Sequence, residues 1–276
     1  MIGYLLALIP LYFFVYLPLS SNHAKQQPAS RVSIDLNETI FALGGPRAGS
    51  CIDRSYSTHL LSRQPLVIYI EDFLSEAESK HLLEISESQF EPSLVWNGEE
   101  ARVDPSVRIS ENALLDRDDV VKCIEERARA FQGWRPKTYI ERLRTQRYGP
   151  SGHYVHHYDF SADAKATGWG RVSSFMVYVD ADCSGGGTNF PRIRRPKDER
   201  WCEFIECGVV NAVGADGVDE HEGVTFKPIK GNAVFWENLK EDGSGYEETW
   251  HAGLPVVNGT KVGLNIWNYG MVRTME

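Results

Sequence analysis

The sequence lacks several features that would assign it to a class directly. Its five cysteines, Cys51, Cys123, Cys183, Cys202 and Cys207, do not have the short paired spacing of a zinc site. In an oxidising lumen one or two disulfides could form among them, but the spacing does not reveal the pairing. Basic charge is not in excess, with 29 Lys and Arg against 38 Asp and Glu and a formal charge of −9. The basic residues are scattered, so the positive footprint of a nucleic-acid binder is missing and no nucleic-acid partner is expected. The short run Arg192, Arg194, Arg195 and Lys197 reads more readily as a solvated loop than as a cradle for an acidic substrate. No internal repeat is present. What remains is ordinary globular material, 42% hydrophobic and 24% charged over 276 residues, enough to bury one sizeable core.

From Ile2 to Leu19 the chain carries no charge and is dominated by Leu, Ile, Phe, Tyr and Val. Residues 1–20 therefore read as a signal sequence or a membrane anchor. Pro10 and Pro18 interrupt the run and no small-residue cleavage site stands out after it, so both readings stay open. Lys25 and Arg31 on the far side oppose a luminal domain by the positive-inside rule, which leaves orientation open as well. Asn37-Glu38-Thr39 and Asn258-Gly259-Thr260 fit the glycosylation acceptor pattern. The expected location is the secretory pathway, in the membrane or lumen of the endoplasmic reticulum. Residues 21–64 mix Ser, Asn, Gly, Pro and charge without a period and are expected to form a stem or linker.

The remaining segment, 65–276, reads as one domain. Leu66 to Ile70 looks like a strand. Ser75 with Glu78 forms a capping box ahead of a helix expected to run to about Phe90, and a second helix is expected over Arg117 to Phe131. Short strands follow at Tyr139–Tyr148, Arg171–Asp180, Val224–Phe226, Asn232–Trp236, Glu247–Ala252 and Lys261–Tyr269. The fold class implied is mainly β with flanking helices, a sandwich or barrel with one sheet covered by helix. The long polar segment from Arg192 to Glu222 reads as an inserted loop or lid.

His157-Tyr158-Asp159 puts an imidazole and a carboxylate two residues apart, which on a strand directs both to one face. Taken alone, such a triplet more often marks two hydrogen-bonded polar residues at a strand end. A second histidine, His251, completes a two-histidine, one-carboxylate set that leaves positions open on Fe(II) for a bidentate keto acid and O₂. Downstream, Lys261 to Trp267 alternates, with Val262, Leu264 and Ile266 on one face and Lys261, Gly263, Asn265 and Trp267 on the other. A lysine lining a pocket there needs an anion, and the distal carboxylate of 2-oxoglutarate would serve. His156 would face away from His157; His153 and His221 lie in turn-rich segments without a paired carboxylate at useful spacing.

These blocks resemble the catalytic domain of the prolyl 4-hydroxylase alpha-subunit family of Fe(II)/2-oxoglutarate-dependent dioxygenases, from about Leu66 to Tyr269. The resemblance rests on Ile140 to Tyr148, then Gly152, Tyr154, His157 and Asp159, and on Gly186-Gly-Thr188 with Phe190-Pro191. Pro228 with Gly231 to Trp236, and His251-Ala with Pro255-Val, Gly259 and Lys261, continue it in the same order. It implies a double-stranded β-helix (jelly-roll) core, with His157, Asp159 and His251 as metal ligands. Lys261, Tyr148 and Thr188 would hold the cosubstrate, and Tyr154, Arg171 and Trp267 would lie near the substrate. Fe(II), 2-oxoglutarate, O₂ and L-ascorbate are the implied cofactors. Hydroxylation of peptidyl proline with release of succinate and CO₂ is the implied activity; a free amino acid or specialised metabolite is the alternative substrate. A non-catalytic β-sandwich that keeps a metal-like pocket is the competing class, which succinate release dependent on 2-oxoglutarate would exclude. The Arg192 to Glu222 insertion departs from the family and leaves substrate identity open.

Overall fold

A computed structural model describes residues 36–96, 98–207 and 223–272. The apolar leader, every other residue before Leu36 and the last part of the insertion lie outside them. Among the described residues no helix is long and apolar enough to cross a membrane.

Two sheets face each other. The larger has nine strands, in the order Ser57–Arg63, Leu66–Glu71, Ala233–Glu237, Trp169–Gly185, Val256–Met271, Arg144–Tyr148, Glu111–Leu114 and Glu91–Pro92, with Thr138–Ile140 also pairing on Val256–Met271. The smaller has five, in the order Val224–Phe226, Thr188–Phe190, His251–Gly253, His153–His157 and Arg108–Ile109. Every pairing described is antiparallel, and most neighbours are non-consecutive strands, as in a jelly roll. Strand alternation explains why the sheets stack. In Leu66–Glu71, Leu66, Ile68 and Ile70 pack against helices on the outer face, while Val67 and Tyr69 point between the sheets to meet Tyr178, Phe190, Phe226, Val234 and Trp236.

The outer face is covered by α1 (Glu76–Ser86) and α2 (Asp119–Phe131). Ser75 caps α1 with the reciprocal bonds its spacing with Glu78 predicts: Glu78 N donates to Ser75 Oγ at 3.1 Å and Ser75 N to Glu78 Oε2 at 2.8 Å. Asp118 caps α2, accepting from Val121 N at 2.9 Å. Val262, Leu264 and Ile266 join Leu82, Val121, Ile124 and Ala128 beneath these helices, as their alternation requires.

Three local expectations change. The Tyr139–Tyr148 strand breaks into Thr138–Ile140 and Arg144–Tyr148, because after Glu141, which still bonds Trp267 O, Arg142 N turns to Ile40 O and Glu141 bridges to Phe41. Asn-Gly is a turn signal by its residue types, yet Asn258-Gly259 lies inside the Val256–Met271 strand. There Gly259 has φ +79° and Asp182 O sits 2.1 Å from where a Cβ would be, so only glycine fits. The insertion, as far as Cys207, folds back as a 3₁₀ turn at Glu199–Glu203 closed by a Cys202–Cys207 disulfide, with Phe204 and Ile205 buried between the sheets.

The segment expected to be a stem is packed where it is described. Phe41 and Ala42 are buried, and Arg117 donates to Leu43 O at 2.6 Å and Gly44 O at 2.8 Å while paired with the fully buried Glu125 at 2.8 Å. A Cys51–Cys123 disulfide pins it to α2, closing a sequence separation of 72 residues against only 5 for Cys202–Cys207. By loop-closure entropy the first is worth about 4 kcal/mol and the second about 2. Cys183 is the free thiol among the described residues.

Candidate metal centre and cosubstrate pocket

His157 and His251 are cross-strand partners on adjacent strands of the smaller sheet, which brings their ring centroids to 4.3 Å. Asp159 follows two residues after His157, just past the strand end, and its Oδ1 lies 3.6 Å from His157 Nε2 and 4.0 Å from His251 Nε2. The three ligand atoms all fall within 4.8 Å of one another and could hold a metal ion. Octahedral ligands about 2.1 Å from an ion sit roughly 3 Å apart, so closing on one ion needs shifts below about 1 Å.

The protein has already chosen the tautomers. His157 Nδ1 donates to Val155 O and His251 Nδ1 to Thr249 O, each at 2.9 Å, which leaves both Nε2 lone pairs aimed at Asp159. Burial, together with the neighbouring His157, pushes the His251 pKa down to about 4, so the imidazole is neutral at physiological pH. Burial alone would raise the Asp159 carboxyl. Charge on the adjacent His251 and His157 rings when they are protonated, together with the Arg171 guanidinium, outweighs it and holds Asp159 well below the usual carboxylate range. Phe190 stacks on His251 at 5.3 Å and Trp236 meets it edge-on at 4.9 Å, while Tyr154 stacks on His157 at 3.8 Å. The ligand side chains are thus fixed in orientation, with His251 and Asp159 shielded from water and His157 half-buried.

Lys261 is 1% exposed. Its Nζ donates to Gly186 O at 2.5 Å and lies 4.7 Å from the centroid of the Tyr148 ring, its cross-strand partner. Among the described residues no carboxylate lies within ion-pair distance, and burial pushes the ammonium down to about 8. A buried cation without a counter-ion is costly, so its persistence points to an anion that arrives with a ligand.

Gly253 joins this lysine to the metal ligands. It lies two residues beyond His251 on the same strand, hence on the same face, and pairs across the sheet with both Tyr154 and Thr188. A Cβ built on Gly253 would sit 4.0 Å from Lys261 Nζ, facing the lysine. The glycine leaves open the space between triad and ammonium. Gly253→Ala has no close contact to relieve, its nearest neighbours being 3.8 Å away, and is expected to keep its melting temperature while weakening 2-oxoglutarate binding at least tenfold in calorimetry. Unchanged affinity would place the diacid elsewhere.

Thr188 is buried in the smaller sheet, and Tyr178 donates to its Oγ1 at 2.9 Å. Arg171 and Trp267 lie on the Asp159 side, with the guanidinium 4.0 Å over the indole. Arg171 is held by Glu141 through bonds of 2.6 and 2.8 Å and reaches Asp159 O at 3.4 Å. Arg108 covers the other face of the neighbourhood, 4.7 Å over the Tyr154 ring. His156 turns away from the triad to bond Asn189 at 2.9 Å, as strand alternation requires. Of the basic cluster, Arg192 donates to Tyr158 Oη at 2.6 Å and Glu247 O at 3.1 Å rather than standing free.

The family model for the 2OG-Fe(II) oxygenase superfamily matches residues 143–269, which contain the triad and Lys261. Over these residues the chain is similar to that superfamily. It is 27% identical over 250 residues to prolyl 4-hydroxylase subunit alpha-3 of Mus musculus, covering 88% of this chain and 39% of that protein. It is also 27% identical over 216 residues to prolyl 4-hydroxylase 2 of Arabidopsis thaliana, covering 75% of this chain and 68% of the relative. The chain thus spans about two-fifths of the length of the animal relatives it matches. Among solved structures, a viral collagen prolyl hydroxylase from Paramecium Bursaria Chlorella virus-1, in complex with 2OG, superposes with a TM-score of 0.54 at 25% identity, covering 74% of this chain and 96% of that one. A prolyl hydroxylase from Trichoplax adhaerens shares the fold, with a TM-score of 0.51 at 12% identity.

The superfamily implies Fe(II), 2-oxoglutarate and O₂, and the residues present fit them. Two imidazoles that present their Nε2 atoms and a carboxylate suit a ferrous ion, and an ammonium buried without a carboxylate partner among the described residues, across an open glycine, suits the far end of a diacid.

Proposed function

We propose that this chain is an Fe(II)- and 2-oxoglutarate-dependent dioxygenase that hydroxylates peptidyl proline, releasing succinate and CO₂. The observation that carries the reading is Lys261, buried to 1% with no carboxylate partner among the described residues and facing the glycine that separates it from His251. In this role His157, Asp159 and His251 hold the iron, and Lys261, Tyr148 and Thr188 hold the distal carboxylate. Iron bound there supplies the O₂ activation and C–H oxidation that no side chain can perform.

The side chains contribute position and field. His157 and His251 present lone pairs already oriented by their backbone bonds, so no tautomer change accompanies binding. Asp159 contributes the one negative charge of the ligand set. Lys261 anchors the diacid at the end away from the triad, so that its keto-acid end is directed toward the metal ligands. Phe190 and Trp236 shield the His251 imidazole from water, and Tyr154 covers one face of His157. Arg171, immobilised by Glu141 and Trp267, lines the substrate side beside Asp159 with Tyr154.

A polypeptide substrate is favoured by the edge next to His157. There the short strand Arg108–Ile109 pairs with His153–His157, and Ile109 and Val155 are 41% and 39% exposed. The excursion leading to that edge exposes Leu94, Trp96 and Val103 as well. An open strand edge beside exposed apolar side chains suits an extended chain better than a small polar metabolite. The names of the relatives point the same way. The two disulfides and the apolar leader support a secretory route, with ascorbate as the reductant that keeps the iron ferrous.

The test is mass spectrometry of a proline-rich peptide and, separately, of a metabolite pool after incubation with protein, Fe(II), 2-oxoglutarate and ascorbate. One added oxygen on proline, matched by succinate, is expected. Succinate with oxygen added only to a metabolite would replace the substrate, and no succinate with either would end the oxygenase reading.

A further inference from the structure

Tyr178 carries no recognisable motif in the sequence. It lies in the long strand Trp169–Gly185, is fully buried between the sheets, and its hydroxyl donates to Thr188 Oγ1 at 2.9 Å. Burial pushes its phenol far above the ordinary range, so the proton stays on Tyr178 at any working pH. Thr188 is itself buried and pairs across the sheet with Gly253, the residue that faces Lys261 Nζ.

A threonine hydroxyl has one proton and two lone pairs, and left alone it can donate or accept with equal ease. Here one lone pair is engaged by Tyr178. The Thr188 proton cannot point back at the Tyr178 proton, and donation into Oγ1 polarises the hydroxyl into a stronger donor. The chain of protons therefore runs one way, from Tyr178 through Thr188 toward the space beside Lys261.

We infer that Tyr178 is a positioning residue that commits Thr188 to donating, and so makes the pocket select a carboxylate, which only accepts, over a carboxamide, which also donates. The inference rests on the proposed cosubstrate reading and adds a specificity element that acts through Thr188 rather than by touching the ligand. Lys261 attracts negative charge from any direction, whereas a directed hydroxyl distinguishes acceptor from donor at one oxygen.

The test is anaerobic calorimetry of the iron-loaded protein with two ligands, 2-oxoglutarate and its 5-amide, 2-oxoglutaramate. Tyr178→Phe removes one oxygen and keeps the ring. It is expected to weaken 2-oxoglutarate about five- to tenfold, to leave the amide unchanged, and so to lower discrimination by the same factor without altering iron affinity. Thr188→Val should do the same, Thr188→Ser should restore most of the loss, and the double variant Tyr178→Phe/Thr188→Val should lose no more than either single. Equal weakening of both ligands, additive losses, or an unchanged 2-oxoglutarate affinity would overturn the inference. If Tyr178→Phe does not fold, Thr188→Val against Thr188→Ser decides by the same diacid-to-amide ratio. Wild-type protein that binds neither ligand would instead remove the cosubstrate reading itself, and this inference with it.

Discussion

Replacing Lys261 with Met is expected to raise the stability of the ligand-free protein while removing its use of 2-oxoglutarate. The two effects have one cause. Burial lowers the Lys261 pKa from 10.5 to about 8, a penalty on the order of 3 kcal/mol for keeping the ammonium charged in the fold. Met occupies similar volume without charge, and the loss of the bond to Gly186 O offsets part of the gain, leaving about 1–2 kcal/mol and a rise of a few degrees in Tm. The same variant leaves the diacid's far carboxylate buried and unpaired, which should raise the KM for 2-oxoglutarate at least a hundredfold.

The pH dependence follows with its sign. Between about 8 and 10.5 the unfolded chain still holds the lysine proton while the folded chain has released it. Stability of the ligand-free wild type should therefore rise with pH across that window relative to Lys261→Met, and saturating 2-oxoglutarate should flatten the difference by restoring the charge. Thermal unfolding of both proteins at pH 7 and pH 10, with and without the diacid, measures it. A Lys261→Met protein that is less stable at pH 7 would mean the lysine is not an unpaired buried cation.

Asp159→Ala is expected to abolish turnover and reduce iron below one-tenth of a mole per mole of chain, with little change in fold. Asp159 supplies the only carboxylate of the triad and lies past its strand end, so removal takes away charge and one ligand without breaking the sheet. His251→Ala is the less clean probe, because it also empties a space between Phe190 and Trp236 and should cost about 2–4 kcal/mol of stability. Metal content, circular dichroism and succinate formation together separate the two cases. Normal iron and turnover in Asp159→Ala would reject this carboxylate as a ligand.

Much of this site is legible in the sequence because its parts obey short-range periodicities. His157 and Asp159 are two residues apart, and Lys261 stands on the opposite alternation from Val262, Leu264 and Ile266, which do enter the core under the helices. Ser75 and Glu78 announce α1 by their spacing alone. Other features depend on pairings between distant strands, which no local pattern encodes. Tyr178 and Thr188 meet only because their strands belong to sheets that stack, and Arg171 finds Glu141 only where the chain leaves the ladder after Ile140. Gly253 was within reach, since a small residue two positions after His251 must share its face. The packed segment around Phe41 was not, because it is held by Arg117, by backbone carbonyls and by a disulfide rather than by an amphipathic period.

The central claim is that a metal triad and a distant ammonium grip the two ends of one diacid. Anaerobic titration of 2-oxoglutarate into iron-loaded wild type, Asp159→Ala and Lys261→Met tests it most directly. One diacid per chain is expected for the wild type, with affinity lost when either end is removed. Equal affinity in all three proteins would contradict it.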